Sequence, residues 1–525
     1  MRARDVLGPG SPLAKDLPGY EDRPGQLAMA EAVEEALAHD RPLFVEAGTG
    51  TGKTLAYLVP AILSGKKVVV STATRALQEQ IFAKDLPILR SILGAVGIEF
   101  RVALMKGLSN YVCKRRLSEL LASDGASRLG SDRDLARLVD WAKQTESGDR
   151  AELANVAEDS LAWRDVQSSS DTRIGAACAY YDECFVTRMK RDAEEASLVI
   201  VNHHLFFADL ALRRGKAGEY ASAIPPYDAV IFDEAHQIED IATDFFGVRV
   251  SSSRVEALVR DARRALVAVK LLSVLGTGEG KSLLDGITSA ATRFFMALGS
   301  RSNAAAGEAR RVLAERDLEG DVMAAHQALD GALDGLWAYA LANDRHEPVS
   351  LIARRTSELR TDLRSVLGRN VANRDGEIVE GASHVLWIDL RERSVSLGAS
   401  PIDLGSTLRE ALFDRVSDVI CTSATLATGN SFHFARARLG APPHTRELVV
   451  PSPFDVAARA ALYIPRDLPE PSDPSFEPAA VERIVDLVQV TGGGAFVLCT
   501  STRAMKGFHR ALRARLRQTV LVQGE

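Results

Sequence analysis

The run Ala47-Gly48-Thr49-Gly50-Thr51-Gly52-Lys53-Thr54 spaces three glycines, a lysine and a threonine as a bound triphosphate would require. Glycines let successive backbone N–H groups curl around phosphate oxygens, Lys53 can reach the β- and γ-phosphates, and the Thr54 hydroxyl can ligate Mg²⁺. The apolar run Pro42 to Val45 feeds the loop and the helix-forming stretch Leu55 to Leu63 follows it, which puts the loop at a helix N-terminus whose dipole favours an anion. The implied chemistry is nucleoside triphosphate binding. A second group, Asp233-Glu234, follows the apolar Ala229 to Phe232, so both carboxylates emerge at the end of a buried strand. Two acids there divide the work of hydrolysis: Asp233 holds Mg²⁺ through its water, and Glu234 orients and deprotonates the attacking water. The plain alternative, solvated acids capping a strand, is weakened by the phosphate loop upstream. His236 alone would read as a structural histidine; within Asp-Glu-Ala-His it reads as a link between nucleotide state and a second site.

These groups need a scaffold that gathers strand ends. A helical pattern through Met29, Ala32, Val33 and Leu37 precedes the loop strand. Lys67 to Val70 then runs apolar into Ser71-Thr72-Ala73-Thr74, Leu198 to Val201 into Asn202-His203-His204, and Val419 to Cys421 into Thr422-Ser423-Ala424-Thr425. Such strands alternating with helices predict a parallel sheet covered by helices, its polar strand ends converging on one crevice. Two stretches break the rhythm. Residues 106–186 carry three of the five cysteines and a polar middle, and read as an insert. Residues 246–395 read as a mostly helical insert, from spacing such as Val255 to Val259 and Glu308 to Leu318, with loops at Gly276 to Gly280, Asn303 to Gly307 and Asn370 to Gly381. Sheet character returns at Ser394 to Leu397. A new unit is expected from Val449, with a helix over Ala479 to Val490 and a strand over Ala495 to Leu498.

With 525 residues, 46% hydrophobic composition and a net charge of −6, the chain predicts roughly three or four structural units with buried cores. Nucleic-acid contacts, without a global basic excess, would come from local grooves. Met1 to Arg23 has no apolar segment, and no apolar run reaches about eighteen residues, so neither secretion nor membrane insertion is indicated and a cytoplasmic location is expected. Five cysteines at this length do not form a disulfide framework. Neither the Asn-Lys-x-Asp of GTPases nor the Leu-Ser-Gly-Gly-Gln of transporter ATPases occurs.

Together the phosphate loop, Asp-Glu-Ala-His, Thr422-Ser423-Ala424-Thr425 and Ser71-Thr72-Ala73-Thr74 resemble a superfamily 2 helicase. Lys106-Gly107-Leu108-Ser109-Asn110-Tyr111-Val112-Cys113 and Val201-Asn202-His203-His204-Leu205 narrow the resemblance to the DinG-type, XPD-like DNA helicases, from about Tyr20 to the last residue. The resemblance implies an ATP-dependent motor moving 5′ to 3′ on single-stranded DNA, working on single strands and tailed duplexes in repair or replication, as a monomer without a membrane partner. It implies an α/β fold: a RecA-like P-loop motor lobe 1 (1–105, 187–245 and 396–448), an iron-sulfur-type insert (106–186), a helical arch insert (246–395) and the start of a second RecA-like lobe (449–525). Tyr20, Arg23 and Gln26 resemble the element that reads adenine, hence ATP with Mg²⁺. Ser423 and Thr425 resemble the motif that couples hydrolysis to strand movement. Thr72 and Thr74 resemble a phosphate-backbone contact, which hydroxyls make on any sequence. Each could instead cap a strand end, and Gln26 could be an ordinary helix residue. Arg354, Arg355, Arg360, Arg364 and Arg369 form a basic run that either lines the DNA path or is a solvated helical face.

The chain departs from the family pattern in two places. A [4Fe-4S] cluster needs four thiolates, and Cys113, Cys178 and Cys184 match three of the family's positions while Arg173 stands at the fourth. Arginine cannot ligate iron, which leaves an intact cluster, a three-iron species and a metal-free insert as open readings. The second departure is C-terminal: residues 449–525 fall short of the roughly 150 of a RecA-like lobe. No Gln-x-x-Gly-Arg-x-x-Arg element occurs, and in the family it supplies the arginine that stabilises the γ-phosphoryl charge. The sequence is therefore expected to be C-terminally incomplete, with a nucleotide-gated DNA-binding module as the alternative to a motor.

Overall fold

The computed structural model describes residues 1–16, 20–121, 132–153, 155–157, 160–170, 172–214, 222–272, 278–301, 310–368, 383–391 and 394–523. They form two compact units, Met1–Pro453 and Phe454–Glu525. The strands in chain order are β1 (Leu43–Ala47), β2 (Val68–Thr72), β3 (Val102–Leu104), β4 (Leu198–Asn202), β5 (Ala229–Asp233), β6 (Val248–Ser251), β7 (Arg310–Val312), β8 (His384–Arg391), β9 (Ser394–Pro401), β10 (Asp418–Ser423) and β11 (Arg446–Val450).

Seven of them form a wholly parallel sheet in the order β11-β1-β10-β5-β2-β4-β3. Parallel sheets are covered on both faces, so their strands are nearly continuous apolar runs. Successive side chains nevertheless part to opposite sides: Phe44, Val69, Val230 and Phe232 enter one core, and Leu43, Val45, Val70 and Ile231 the other. The second core is closed by the helices Pro24–Ala38, Lys53–Leu63 and Leu86–Gly94. The first is continuous with the 106–186 region, where Leu135, Leu138, Trp163 and Val166 are buried. Lys106, 4% exposed, ties the two together through Glu79 at 2.7 Å and Asp149 at 2.6 Å. β10 lies between β1 and β5, which sets Ser423 between the loop strand and the acid strand.

Residues 246–395 contain the long helices Ser252–Ala268, Glu279–Arg301, Asp321–Ala342 and Glu347–Leu367, as the spacing predicts. They also contain what the spacing missed, an antiparallel sheet in the order β6-β9-β8-β7. Glu308 to Leu318, expected to be helical, instead supplies β7 and a short 3₁₀ turn at Glu315–Leu318. Ser394 to Leu397 belongs to this sheet, where Leu397 and Ala399 share a core with Phe294 and Leu333, so the compact arch runs to Pro401. Gly280 lies in a helix rather than a loop; Asn303 to Gly307, Asn370 to Gly381 and Arg369 fall outside the described residues.

The basic run divides: Arg355 and Arg360 are withdrawn from solvent, while the Arg354 and Arg364 side chains stay more than half exposed. Arg355 is buried against Asp261 at 2.9 Å, Arg360 bridges Asp330 and Asp334, Arg364 reaches Asp330 at 2.6 Å, and Arg354 lies 3.7 Å from Glu358. Arg355, Arg360 and Arg364 join the helix Glu347–Leu367 to its neighbours, whereas Arg354 pairs within that helix; the acidic partners, 30 or more residues away for Asp330, were not legible from the run itself.

Val449 and Val450 pair with β1, so the second unit begins after Pro453 rather than at Val449. That unit holds the helices Phe476–Thr491 and Thr502–Arg515 around Val481, Val485 and Leu512. Ala495 to Leu498 forms no strand: Phe496 and Leu498 are 95% and 93% exposed, and without a hydrogen-bonded neighbour an extended segment is not a sheet.

Candidate active site

The phosphate loop takes its shape from glycines at positions where a side chain would be strained. Gly52 has φ +82°, and a Cβ there would lie 2.2 Å from Gln26 Nε2. At Gly48 a Cβ would meet the Ser452 backbone nitrogen at 2.6 Å. Gln26, nearly buried, donates from Nε2 to the Gly52 carbonyl at 3.0 Å, so the helix Pro24–Ala38 bears directly on the loop. Tyr20 and Arg23 do not share that contact: the Tyr20 hydroxyl donates to the Leu7 carbonyl at 2.7 Å, and Arg23 pairs with Glu21 at 3.2 Å. Thr51 donates to the Gly48 carbonyl at 2.6 Å, closing the turn through Thr49 and Gly50.

Lys53 opens the helix Lys53–Leu63 with Thr54 beside it. Its Nζ stands 3.5 Å from the Ala47 carbonyl and 3.5 Å from Glu234 Oε1, between the loop and the acids. Asp233 ends β5; burial and the neighbouring Glu234 push its carboxyl up to about 6. Glu234 has φ +56°, the sparsely populated left-handed region, and this bend turns its carboxylate toward Lys53. Sequence reasoning missed Tyr57, whose fully buried hydroxyl donates to Asp233 Oδ2 at 3.1 Å. Its signal was a hydroxyl one turn after Lys53 on an otherwise apolar helix.

His236 and Ser423 meet at 2.8 Å (Nδ1 to Oγ), with Glu234 Oε2 at 3.4 Å from each. A serine hydroxyl has one proton and two lone pairs. All its contacts are satisfied if Ser423 donates to Glu234 and accepts from His236 Nδ1–H and from the Thr425 N–H, 3.3 Å away. Motion at the acid pair and motion of the loop after β10 are thereby mechanically joined. Thr74 caps the helix Arg75–Gln80 by accepting from the Leu77 N–H at 3.2 Å, and Thr72 donates to the Thr74 carbonyl at 3.1 Å. His203, fully buried, holds Ser71 at 2.7 Å; burial pushes its imidazole down to about 4, so it is neutral at ordinary pH.

A family model described as DEAD/DEAH box helicase matches residues 26–117. The ATP-dependent DNA helicase YoaA of Escherichia coli (strain K12) is 34% identical over 522 residues, 99% of this chain and 78% of that protein. The chain belongs to the YoaA/DinG family of ATP-dependent DNA helicases. The family's ATP-dependent helicase DinG from Mycobacterium tuberculosis (strain ATCC 25618 / H37Rv) is 31% identical, covering 97% of this chain and 75% of that protein. A solved structure titled XPD helicase superposes with TM-score 0.47 at 14% identity, over 95% of this chain and 75% of that one. A helicase of this family works with ATP and Mg²⁺, and Thr54 and Asp233 offer oxygens of the kind that suits a hard cation. Among the described residues no helix is long and apolar enough to cross a membrane.

Among the described residues no three His, Cys, Asp or Glu side chains are placed to hold a metal ion. Arg173 donates to the buried Thr187 Oγ1 at 2.8 Å, and the Cys113 thiol is pushed up by burial, toward its protonated form.

Proposed function

We propose that this chain is a DNA-stimulated ATPase that moves 5′ to 3′ along single-stranded DNA and opens tailed duplexes in DNA repair or replication, as a cytoplasmic monomer. The observation that carries this reading is the unbroken series from Lys53 through Glu234 to Ser423 and His236, every step 3.5 Å or less. Lys53 would hold the β- and γ-phosphates, Thr54 and Asp233 the Mg²⁺, Glu234 the attacking water, and Gln26 the adenine, with Tyr20 and Arg23 lining that pocket. Thr72 and Thr74 would meet the strand through its phosphates, and Ser423 and Thr425 would couple hydrolysis to its movement. Turnover by the 525-residue chain is expected to rise at least several-fold on adding oligo-dT, and a duplex with a 5′ tail to open in preference to one with a 3′ tail. Unchanged turnover would sink the motor reading; ATP and DNA binding without turnover would favour a nucleotide-gated binding module, and preference for the 3′ tail would reverse the polarity.

We further propose that the insert folds without an iron-sulfur cluster. Its support is Arg173, which stands in the sequence at the family's fourth thiolate position, is bonded to Thr187, and brings a fixed positive charge beside Lys190, whose ammonium burial and then Arg173 hold below its usual range. The insert's apolar side chains, Leu135, Leu138, Trp163 and Val166 among them, pack into the core that also holds Phe44, Val69 and Phe232, and that burial supports its shape without a metal. Anaerobically purified protein should contain far less than one cluster's iron and sulfide per chain. Stoichiometric iron in both the natural chain and Arg173→Cys would refute this.

A further inference from the structure

One side chain joins the two nucleotide motifs and belongs to neither. Glu46 is the single acid in β1, the residue before the phosphate loop begins. β1 and β10 are registered so that Glu46 lies opposite Ser423. Its carboxylate does not turn toward the loop it precedes. Oε2 reaches across β10 and accepts from the backbone N–H groups of Leu426 and Ala427, each at 2.7 Å. Both bonds are at the short end for N–H to a charged acceptor, and charge-assisted bonds of this kind are about twice as strong as neutral ones.

The consequence lies in the loop after β10. Three successive N–H groups there, at Thr425, Leu426 and Ala427, are each held by a side chain: the first by Ser423 and the other two by Glu46. Leu426 is at the same time pinned into the core that also buries Phe432. The loop therefore has one oxygen as its anchor to β1, the strand that leads into the phosphate loop, and Ser423 at its start as its link to Glu234 and His236. Any displacement of β1 relative to the acid pair is transmitted to Thr425 through these bonds.

We propose that Glu46 is a positioning residue that sets the coupling between the nucleotide site and DNA binding through the loop Ser423–Ala427. It acts through the loop and touches neither ATP nor Mg²⁺. The inference rests on the proposed DNA-motor reading, and acceptance of two N–H groups by one oxygen is its chemical core. A glutamine at this position retains such an oxygen; an alanine does not.

The test is linkage in the full 525-residue chain. Affinity for fluorescein-labelled oligo-dT is measured by anisotropy with and without Mg²⁺ and a non-hydrolysable ATP analogue, and hydrogen exchange is followed at the Leu426 and Ala427 amides. In the natural chain the analogue should shift DNA affinity by about 10-fold. Glu46→Ala should reduce that shift to less than about 2-fold, keep analogue affinity within about 3-fold, and speed exchange at the two amides by about 10-fold or more. Glu46→Gln should retain most of the shift and most of the protection. A full shift in Glu46→Ala, or its loss to the same extent in Glu46→Gln, overturns the proposal. If the natural chain itself shows no shift, the motor reading fails, and unaltered exchange in Glu46→Ala then independently removes the positioning role.

Discussion

Glu234→Gln should cut ATP turnover by about 10²- to 10⁴-fold while Mg·ATP remains bound, the range associated with losing a positioned general base. Three features concentrate this expectation on one carboxylate. Its backbone is held at φ +56°, outside the region its neighbours occupy. Lys53 at 3.5 Å faces one of its oxygens, and Ser423 and His236 at 3.4 Å face the other. Glutamine preserves shape and most hydrogen bonds but cannot take a proton from water. Binding, carried by the loop amides and Lys53, should survive, so the loss belongs in kcat rather than in nucleotide affinity. Single-turnover hydrolysis with fluorescent-nucleotide binding separates the two. A variant that turned over within ten-fold of the natural chain would move the base elsewhere.

The side chains that complete the site differ sharply in how visible they were beforehand. β1, β2, β4, β5 and β10 read directly off the chain, because a strand buried on both faces must be apolar throughout and its functional groups must stand at its end. Asp233, Glu234 and Ser423 are such end groups, and Lys53 opens the helix that follows the loop after β1. Glu46 and Tyr57 are embedded in apolar elements, and their partners are remote in sequence: 380 residues separate Glu46 from Leu426, and 176 separate Tyr57 from Asp233. Only the sheet order, with β10 inserted between β1 and β5, brings them together. The arch sheet was hidden for another reason. β7 contains two arginines in three residues and reads as helix surface, yet Arg310 lies 4.1 Å over the ring of Trp387 on β8, a cation–π contact that makes a charged residue a sheet-forming one. The arginine run is helical, as read; what it concealed is that Arg355, Arg360 and Arg364 pair with acids on neighbouring helices.

Asp233→Asn should stabilise the nucleotide-free chain at pH 8 in the absence of divalent cations, while removing Mg²⁺-dependent turnover. Burial and Glu234 raise the carboxyl of Asp233 from 3.8 to about 6, which corresponds to about 3 kcal/mol between its protonated and charged forms. For an acid whose folded-state value is raised, the folded chain binds the extra proton. The stability that proton confers is complete below about pH 4, is lost as pH rises through 4 to 6, and is absent above. At pH 8 the folded chain therefore carries a buried charge that Tyr57 and Lys53 offset only partly. Asparagine removes the charge, but its amide can accept from only one of the two present donors, the Tyr57 hydroxyl or the Glu234 N–H at 3.1 Å. Losing one such bond returns about 1 kcal/mol, leaving a net gain of about 1–2 kcal/mol. Urea unfolding from pH 4 to pH 8 should thus show the natural chain falling relative to Asp233→Asn across pH 4–6, then running parallel to it. Mg·ATP should reverse the order by giving the carboxylate the cation it lacks, so that ligand raises the natural chain's midpoint more than the variant's. Equal pH profiles would mean that Asp233 is not carrying an uncompensated charge.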